Sequence, residues 1–283
     1  MIQYRIAAAI PTHNRVDDLR EAITSVLEQR VEIEIIVVDD GSDPPVDADC
    51  LPRGVRLIRH ARPTGPAGAR NAAAEAATAD WIAFLDDDDR WLPGKAEALL
   101  TAIEQFENAA VIFHHMAYRP SSHHGAARRV DNPLSRVLHH QPPHLSGVAV
   151  RRDIHEKVRF DESMWATQDI DYLIRLAKGS VWVEIPRVLG VHSPRQHPDS
   201  AIDLESRIAG RLSLLDRHGE LIRGDRRAHS FFYARLGHQY RRADRPRDAR
   251  DSFVRALRIR PTSRIAWLGL IRLYIPVPTR TGR

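Results

Sequence analysis

The sequence predicts an α/β fold, a mostly parallel sheet flanked by helices, followed by a small all-α extension. Three observations carry this. Short apolar runs at 6–10, 33–38, 55–58 and 81–85 alternate with segments of helical length; that order builds a parallel sheet with helices on both faces. Three of the runs end in polar loops bearing Asn14, Asp39 with Asp40, and Asp86 to Asp89. In such a sheet the loops after strand carboxyl ends gather in one crevice. Beyond about residue 219 the chain reads as helices alone.

Taken in order, residues 6–10 are a buried strand and 11–15 a loop. Asp17 and Asp18 open a helix to about residue 29, since a first helical turn favours negative charge, and Leu19, Ile23, Val26 and Leu27 share its apolar side. A second strand, 33–38, ends in Asp39-Asp-Gly-Ser42, and 55–58 is a third. Gly65-Pro-Ala-Gly68 leads into an alanine-rich helix at about 69–79, followed by the central strand 81–85 and a helix at about 95–107. A strand is expected at 110–118. Residues 119–144, rich in His, Pro, Ser and Arg, read as a loop or flap. A strand at 145–150, a helix at 168–177, two short strands at 181–185 and 188–191 split by Pro186, and a helix at about 200–215 complete the first domain, residues 1–218, with halves of about 1–118 and 119–218. Residues 219–283 form the extension.

Composition narrows the class. The 283 residues are 43% hydrophobic, ordinary for a soluble globular protein. The single cysteine, Cys50, permits neither an intramolecular disulfide nor a cysteine metal cluster. The apolar run at 6–10 is too short for a signal peptide, and no run is long enough to span a bilayer, so a cytoplasmic protein is expected. The net charge of +5 hides an asymmetry: residues 221–283 hold sixteen arginines, no lysines and four aspartates, a net +12, leaving about −7 for the rest. The arginines lie along helical sequence without an aromatic or Gly-rich binding motif, so nucleic acid is not an expected partner. An anionic membrane surface suits them, as does a plain solvated face.

The chemistry starts at Asp86-Asp-Asp-Asp89, where the strand 81–85 stops. Four carboxylates in a row repel unless a cation sits among them. A hard divalent cation, Mg²⁺ above all, takes one or two carboxylates together with substrate phosphates. Seven of the fifteen histidines lie between His114 and His144. They lack HExxH order, and neighbours on a strand face opposite ways, so a dedicated zinc site is not expected there.

Four motifs in order, Ile10-Pro-Thr-His-Asn-Arg15, Val37-Val-Asp-Asp-Gly-Ser42, Gly68-Ala-Arg-Asn71 and Phe84-Leu-Asp-Asp-Asp-Asp-Arg-Trp91, resemble family 2 glycosyltransferases of the GT-A fold. The similarity covers roughly residues 4–215. It implies an inverting, metal-dependent transfer of a sugar from a UDP-, dTDP- or GDP-sugar to a glycan or lipid-linked acceptor, in the manner of bacterial surface polysaccharide synthesis. It implies donor binding by Pro11, Thr12, Asn14, Asp39, Asp40, Arg70, Asp86 and Asp87, with Asp40 on a base N–H. Asp86-Asp-Asp88 reads as the DXD motif, with Asp88, Asp86 and His197 as ligands of Mn²⁺ or Mg²⁺ and Asp89 the least determined of the four. Asp169 takes the place of the catalytic base, beside Gln168 where the family has Glu; Asp171 is the rival base, two residues along and turned elsewhere on a helix. Ser146 and Gly147 stand near the implied acceptor pocket. In the extension, Tyr233, Leu236, Gly237, Tyr240, Ala249, Phe253, Ala256 and Pro261 resemble one tetratricopeptide repeat, with helices at 227–242 and 246–259 and a capping helix at 263–274. A single repeat leaves an apolar face to cover, by the catalytic domain, a second copy or a partner. The alternative to an enzyme is a non-catalytic transferase-like scaffold that binds partners through this repeat.

Overall fold

The structure is a computed structural model, and it describes residues 5–119, 125–139, 142–192 and 204–274. The chain divides into two compact units: residues 1–137, 142–163 and 168–198 make the first, and 138–141, 164–167 and 199–283 the second.

The first unit runs β1 (Ile6–Thr12), α1 (Val16–Leu27), β2 (Glu34–Asp39), β3 (Val55–Arg59), α2 (Gly65–Ala76), β4 (Trp81–Phe84), β5 (Asp89–Trp91), α3 (Lys95–Gln105), β6 (Val111–Ala117), β7 (Arg128–Arg129), α4 (Pro133–Leu138, all but its last residue), β8 (Val148–Arg151), α5 (Arg152–Val158), α6 (Gln168–Ala177) and β9 (Trp182–His192). The sheet order is β3-β2-β1-β4-β8-β6-β9-β5, with β7 also on β9. The first four strands are parallel. The later half joins through β8, antiparallel to both β4 and β6. Chain order reverses across β1, which pairs with β2 on one side and β4 on the other. The crevice of such a sheet opens at that switch.

Alternation of side chains along the strands divides the core. Ile6, Ala8, Ile10, Ile35, Val37, Trp81 and Ala83 pack with α1 and α3 through Leu19, Ile23, Val26, Leu99 and Ile103. Phe84 points the other way, into an aromatic group with His155, Phe160 and Tyr172 under α5 and α6.

Several sequence expectations change, among them the start of the strand expected at 145–150, where residues 145–147 form a 3₁₀ turn. Residues 182–192 form one strand rather than two. Pro186 is accommodated because β6 and β9 shift register between His114 and Met116, a bulge that absorbs the missing N–H. Residues 125–139 hold structure of their own, β7 and α4. They are tied down by Glu184 on β9, buried, with His115 Nε2 at 2.7 Å, Arg128 Nη2 at 2.8 Å and Arg136 Nη2 at 3.0 Å. Burial alone would raise the Glu184 pKa, but hydrogen bonds from His115 and Arg128 and the charges of both arginines hold it below the usual value.

The second unit contains α7 (Leu204–Arg217), α8 (Gly219–Gly224), α9 (Arg226–Arg242), α10 (Pro246–Ile259) and α11 (Arg264–Tyr274). The sequence boundary at 218 thus lies inside it, since α7 packs on α9: Arg211 Nε donates to Gln239 Oε1 at 3.1 Å and its guanidinium lies 5.4 Å from the Phe232 ring. Asp225 caps α9 by accepting from Arg227 and Ala228 amides at 2.8 and 2.9 Å. Ala234, Ala249, Phe253, Ala256 and Ala266 make the shared core of α9, α10 and α11. Ile265, Trp267, Leu268, Ile271 and Tyr274 remain exposed on α11. No helix among the described residues is long and apolar enough to cross a membrane.

Candidate active site

The polypeptide leaving β4 turns at once, the Asp89 amide donating to the Asp86 carbonyl at 3.0 Å. This tight turn sends four consecutive carboxylates to different neighbours. Asp86 Oδ1 takes Arg70 Nη2 at 2.6 Å. Asp87 accepts from Thr12 Oγ1 at 2.8 Å and Arg15 Nη1 at 3.2 Å. Asp88, with 33% of its side chain exposed, meets the same Arg15 nitrogen at 3.0 Å. Asp89 begins β5 and accepts from Ser146 Oγ at 2.5 Å, with His192 Nδ1 at 3.2 Å and His144 Nδ1 at 3.4 Å.

The environments separate their ionisation. Burial would raise Asp86, but Arg70, then His144 and Arg15, outweigh it and hold the carboxyl below its ordinary value. Asp87 is pushed up to about 7, by burial first, with Asp88 and Asp86 adding repulsion against the pull of Arg15 and Thr12. Asp89 is raised by burial and then by Asp86, against His144, Ser146 and His192. The turn is therefore a graded set of charges with arginine as the counter-ion.

The loops after β1 and β2 lock together beside it. Asn14 sits at φ 56°, a left-handed conformation its short amide tolerates. Its backbone N–H donates to Ser42 Oγ at 2.9 Å, and its Oδ1 accepts from the Asp43 amide at 2.7 Å. Asp39 is fully buried and holds the β2 turn, accepting from the Ser42 and Val46 amides at 2.9 and 3.0 Å and from Arg59. Asp40 caps α2: Oδ1 takes the Thr64 amide at 2.8 Å and lies 2.8 Å from His60 Nδ1, and Oδ2 takes the Gly65 amide at 2.8 Å. Pro11 lies on β1 opposite Val38. Asn71 bonds the Phe160 backbone and Glu162, fixing α2 to the stretch before α6. Arg70 is buried, and its Nε and Nη1 have no hydrogen-bond partner among the described residues.

On α6, Asp169 is half-buried and makes no hydrogen bond or ion pair among the described residues. Asp171 is 1% exposed and bound to Arg175 Nε at 2.7 Å. Gln168 is buried with Oε1 unpartnered. Thr167, just before the helix, holds φ at 61°, an outlier for a β-branched residue of the kind that clusters at functional sites.

A family model described as "Glycosyl transferase family 2" matches residues 8–158, more than half of the chain. The chain belongs to glycosyl transferase family 2. Among proteins similar to it, the pre-mycofactocin glycosyltransferase of Mycobacterium tuberculosis is 29% identical over 207 residues, covering 67% of this chain and 43% of that protein. The succinoglycan biosynthesis protein ExoO of Rhizobium meliloti is 38% identical over 99 residues, covering 34% of this chain and 28% of that protein. The chain thus spans less than half the length of these curated relatives. The crystal structure of S. aureus TarS 1–349 in complex with UDP-GlcNAc superposes with a TM-score of 0.60 at 15% identity, covering 90% of this chain and 91% of that one, which shows the GT-A fold.

Within the family 2 segment, Thr12, Arg70, Asp86, Asp87 and Asp88 meet at the β4 turn through direct contacts. Asn14, Asp39 and Asp40 form the adjoining scaffold of loops. His197 lies outside the described residues. Sequence reasoning did not single out Arg15, although it follows Asn14 directly and bridges two of the carboxylates. It weighed the histidines from His114 to His144 for a zinc site and expected none there, and it did not single out His192. The signal for His192 is the pairing of β5 with β9, where Asp89 and His192 stand opposite, and β5 itself was hidden inside the acidic run.

Proposed function

We propose that this family 2 chain transfers a sugar from a nucleoside-diphosphate sugar to a hydroxyl of a glycan or lipid-linked acceptor, with inversion and with a divalent cation. The observation that carries the reading is the β4 turn. Its exposed member, Asp88, stands beside Arg15, and Arg70 brings two buried, unpartnered guanidinium N–H groups to the same turn. Those donors suit diphosphate oxygens, which take bidentate arginine well. The ligand of the similar TarS structure, UDP-GlcNAc, makes a UDP-sugar the first donor to test.

Asp88 and Asp86 supply oxygen donors of the type that Mn²⁺ or Mg²⁺ accepts, with His197 as the expected third ligand. A cation bound there would offset charge on the departing nucleoside diphosphate. Asp169 accepts the proton of the acceptor hydroxyl as that oxygen attacks the anomeric carbon. Its lack of a partner supports this role, whereas Asp171 is already neutralised by Arg175. Thr12 and Arg15 hold Asp87 and Asp88 in position.

Incubation with a panel of nucleotide sugars and Mn²⁺ or Mg²⁺, scored by released nucleoside diphosphate, tests the reading. Release that disappears in Asp88→Ala supports it; no release from any donor, or unchanged turnover in the variant, refutes it. The apolar residues of α11 beside Arg264 and Arg272 further support attachment to an anionic membrane surface. Failure to sediment with anionic liposomes would remove that part alone.

A further inference from the structure

Asp89, His144 and His192 offer one oxygen and two nitrogens that all lie within 4.8 Å of one another. They come from three separate places in the first unit, the start of β5, the residue before β8's short 3₁₀ lead-in, and the end of β9. The spacing is informative. The two imidazole Nδ1 atoms stand 3.4 and 3.2 Å from the carboxylate oxygens. A charge-assisted N–H···O bond closes to about 2.7–2.9 Å. Donor atoms around a tetrahedral cation held at about 2.0–2.1 Å stand about 3.3 Å apart. Each imidazole meets a different carboxylate oxygen, at distances compatible with donor atoms gathered around one cation.

Its surroundings agree. Ser146 Oγ donates to Asp89 Oδ2 at 2.5 Å and so fixes the carboxylate plane, as outer partners of metal ligands do. The Ser146 amide also lies 3.4 Å from His144 Nδ1, too long for a bond that would compete strongly. The Asp89 side chain is only 4% exposed while that of His144 is 44% exposed, so the cluster reaches solvent through His144. Two imidazoles and one carboxylate prefer zinc or cobalt to magnesium, calcium or manganese.

We propose that Asp89, His144 and His192 form a transition-metal site of their own, separate from the oxygen set of Asp86 and Asp88. The proposal does not depend on the nucleotide-sugar reading. The test uses untagged full-length protein, stripped of metal and free of nucleotide, titrated with Co²⁺ and Zn²⁺. Cobalt's visible ligand-field absorption and the heat of zinc binding are followed. One ion per chain is expected to bind with Co²⁺ absorption that a hundredfold excess of Mg²⁺ does not displace, whereas any ion on the oxygen set of Asp86 and Asp88 is displaced. His144→Ala and His192→Ala should each weaken binding at least about 100-fold, Ser146→Ala about 10-fold, and Asp88→Asn should leave it unchanged. To separate ligand loss from misfolding, His192→Gln with an unaltered circular dichroism spectrum should lose the rise in Tm that zinc gives the wild type. Absence of cobalt absorption in the wild type, wild-type affinity in both histidine variants, or loss of binding in Asp88→Asn would overturn the assignment.

Discussion

Asp171 and Arg175 close a 2.7 Å ion pair one turn apart on α6, with the carboxylate 1% exposed. Two residues earlier on the same helix, Asp169 has no such partner among the described residues. The pair leaves only one of the two carboxylates free to take a proton. Asp169→Asn is therefore expected to lower kcat by about 10²–10⁴ with little change in Tm. Asp171→Asn is expected to do the reverse, destabilising by about 1–3 kcal/mol through the stranded arginine while keeping most of the turnover. Steady-state rates and thermal melts on both variants check this.

Arg70 contacts Asp86 through one nitrogen and holds two more without partners. Lysine keeps the charge but loses the fork. Arg70→Lys should raise the donor KM roughly tenfold, the worth of one charge-assisted hydrogen bond, with a smaller effect on kcat. Equal affinity for the donor in both proteins would remove Arg70 from the donor site.

Glu184 gives a prediction in pH. Its carboxyl sits below the ordinary value of 4.5, so the folded state binds its proton less readily than the unfolded chain. The stabilisation is present above about pH 4.5 and is lost as pH falls through the lower folded value. Glu184→Gln should cost about 1–2 kcal/mol near neutral pH, less than a fully buried pair because Arg128 and His115 are largely exposed. The difference in Tm between wild type and variant should shrink on acidification below pH 4.5. A difference that stays constant would show that the charge is not what holds residues 125–139 to β9.

In α9, Gly237 tests packing against propensity. Alanine in a helix interior is normally better than glycine by about 1 kcal/mol. Here a Cβ would meet the Phe253 ring at 2.7 Å. Gly237→Ala should therefore destabilise, by about 1–3 kcal/mol, measured by denaturant unfolding. A more stable variant would mean the ring moves aside freely.

How far the sequence could be read differs by region, for physical reasons. The strands β1, β2 and β4 were legible because each is a short, buried apolar run bounded by polar or Gly residues, with segments of helical length between them, so length rather than period decides. The helix at 168–177 was legible to the residue. The strand β5 was not, because three residues of a charged run, Asp89 to Trp91, pair only once β9 is alongside. Pro186 suggested a break in β9, since the sequence does not show that a bulge on β6 would absorb it. At the site, the identities of Asp86 to Asp88 and Asp169 stood out from their motifs. Their partners did not: Arg15, His144 and His192 reach the acidic turn from loops and strands whose juxtaposition is a matter of tertiary packing, and Ser146, singled out for the acceptor side, proves to hold Asp89.

The strand β9 also sets what lengths this chain tolerates. It carries Glu184 against β7 at one end and His192 against Asp89 at the other, so it works as a ruler between two polar anchors. Inserting one residue between Arg187 and Val191 would bring Val191 into the register position of His192, placing an apolar side chain beside the acidic turn and an imidazole toward the opposite face. Homologous chains that keep both anchors are thus constrained to keep the count between them, while insertions are free to accumulate in loops outside the strand.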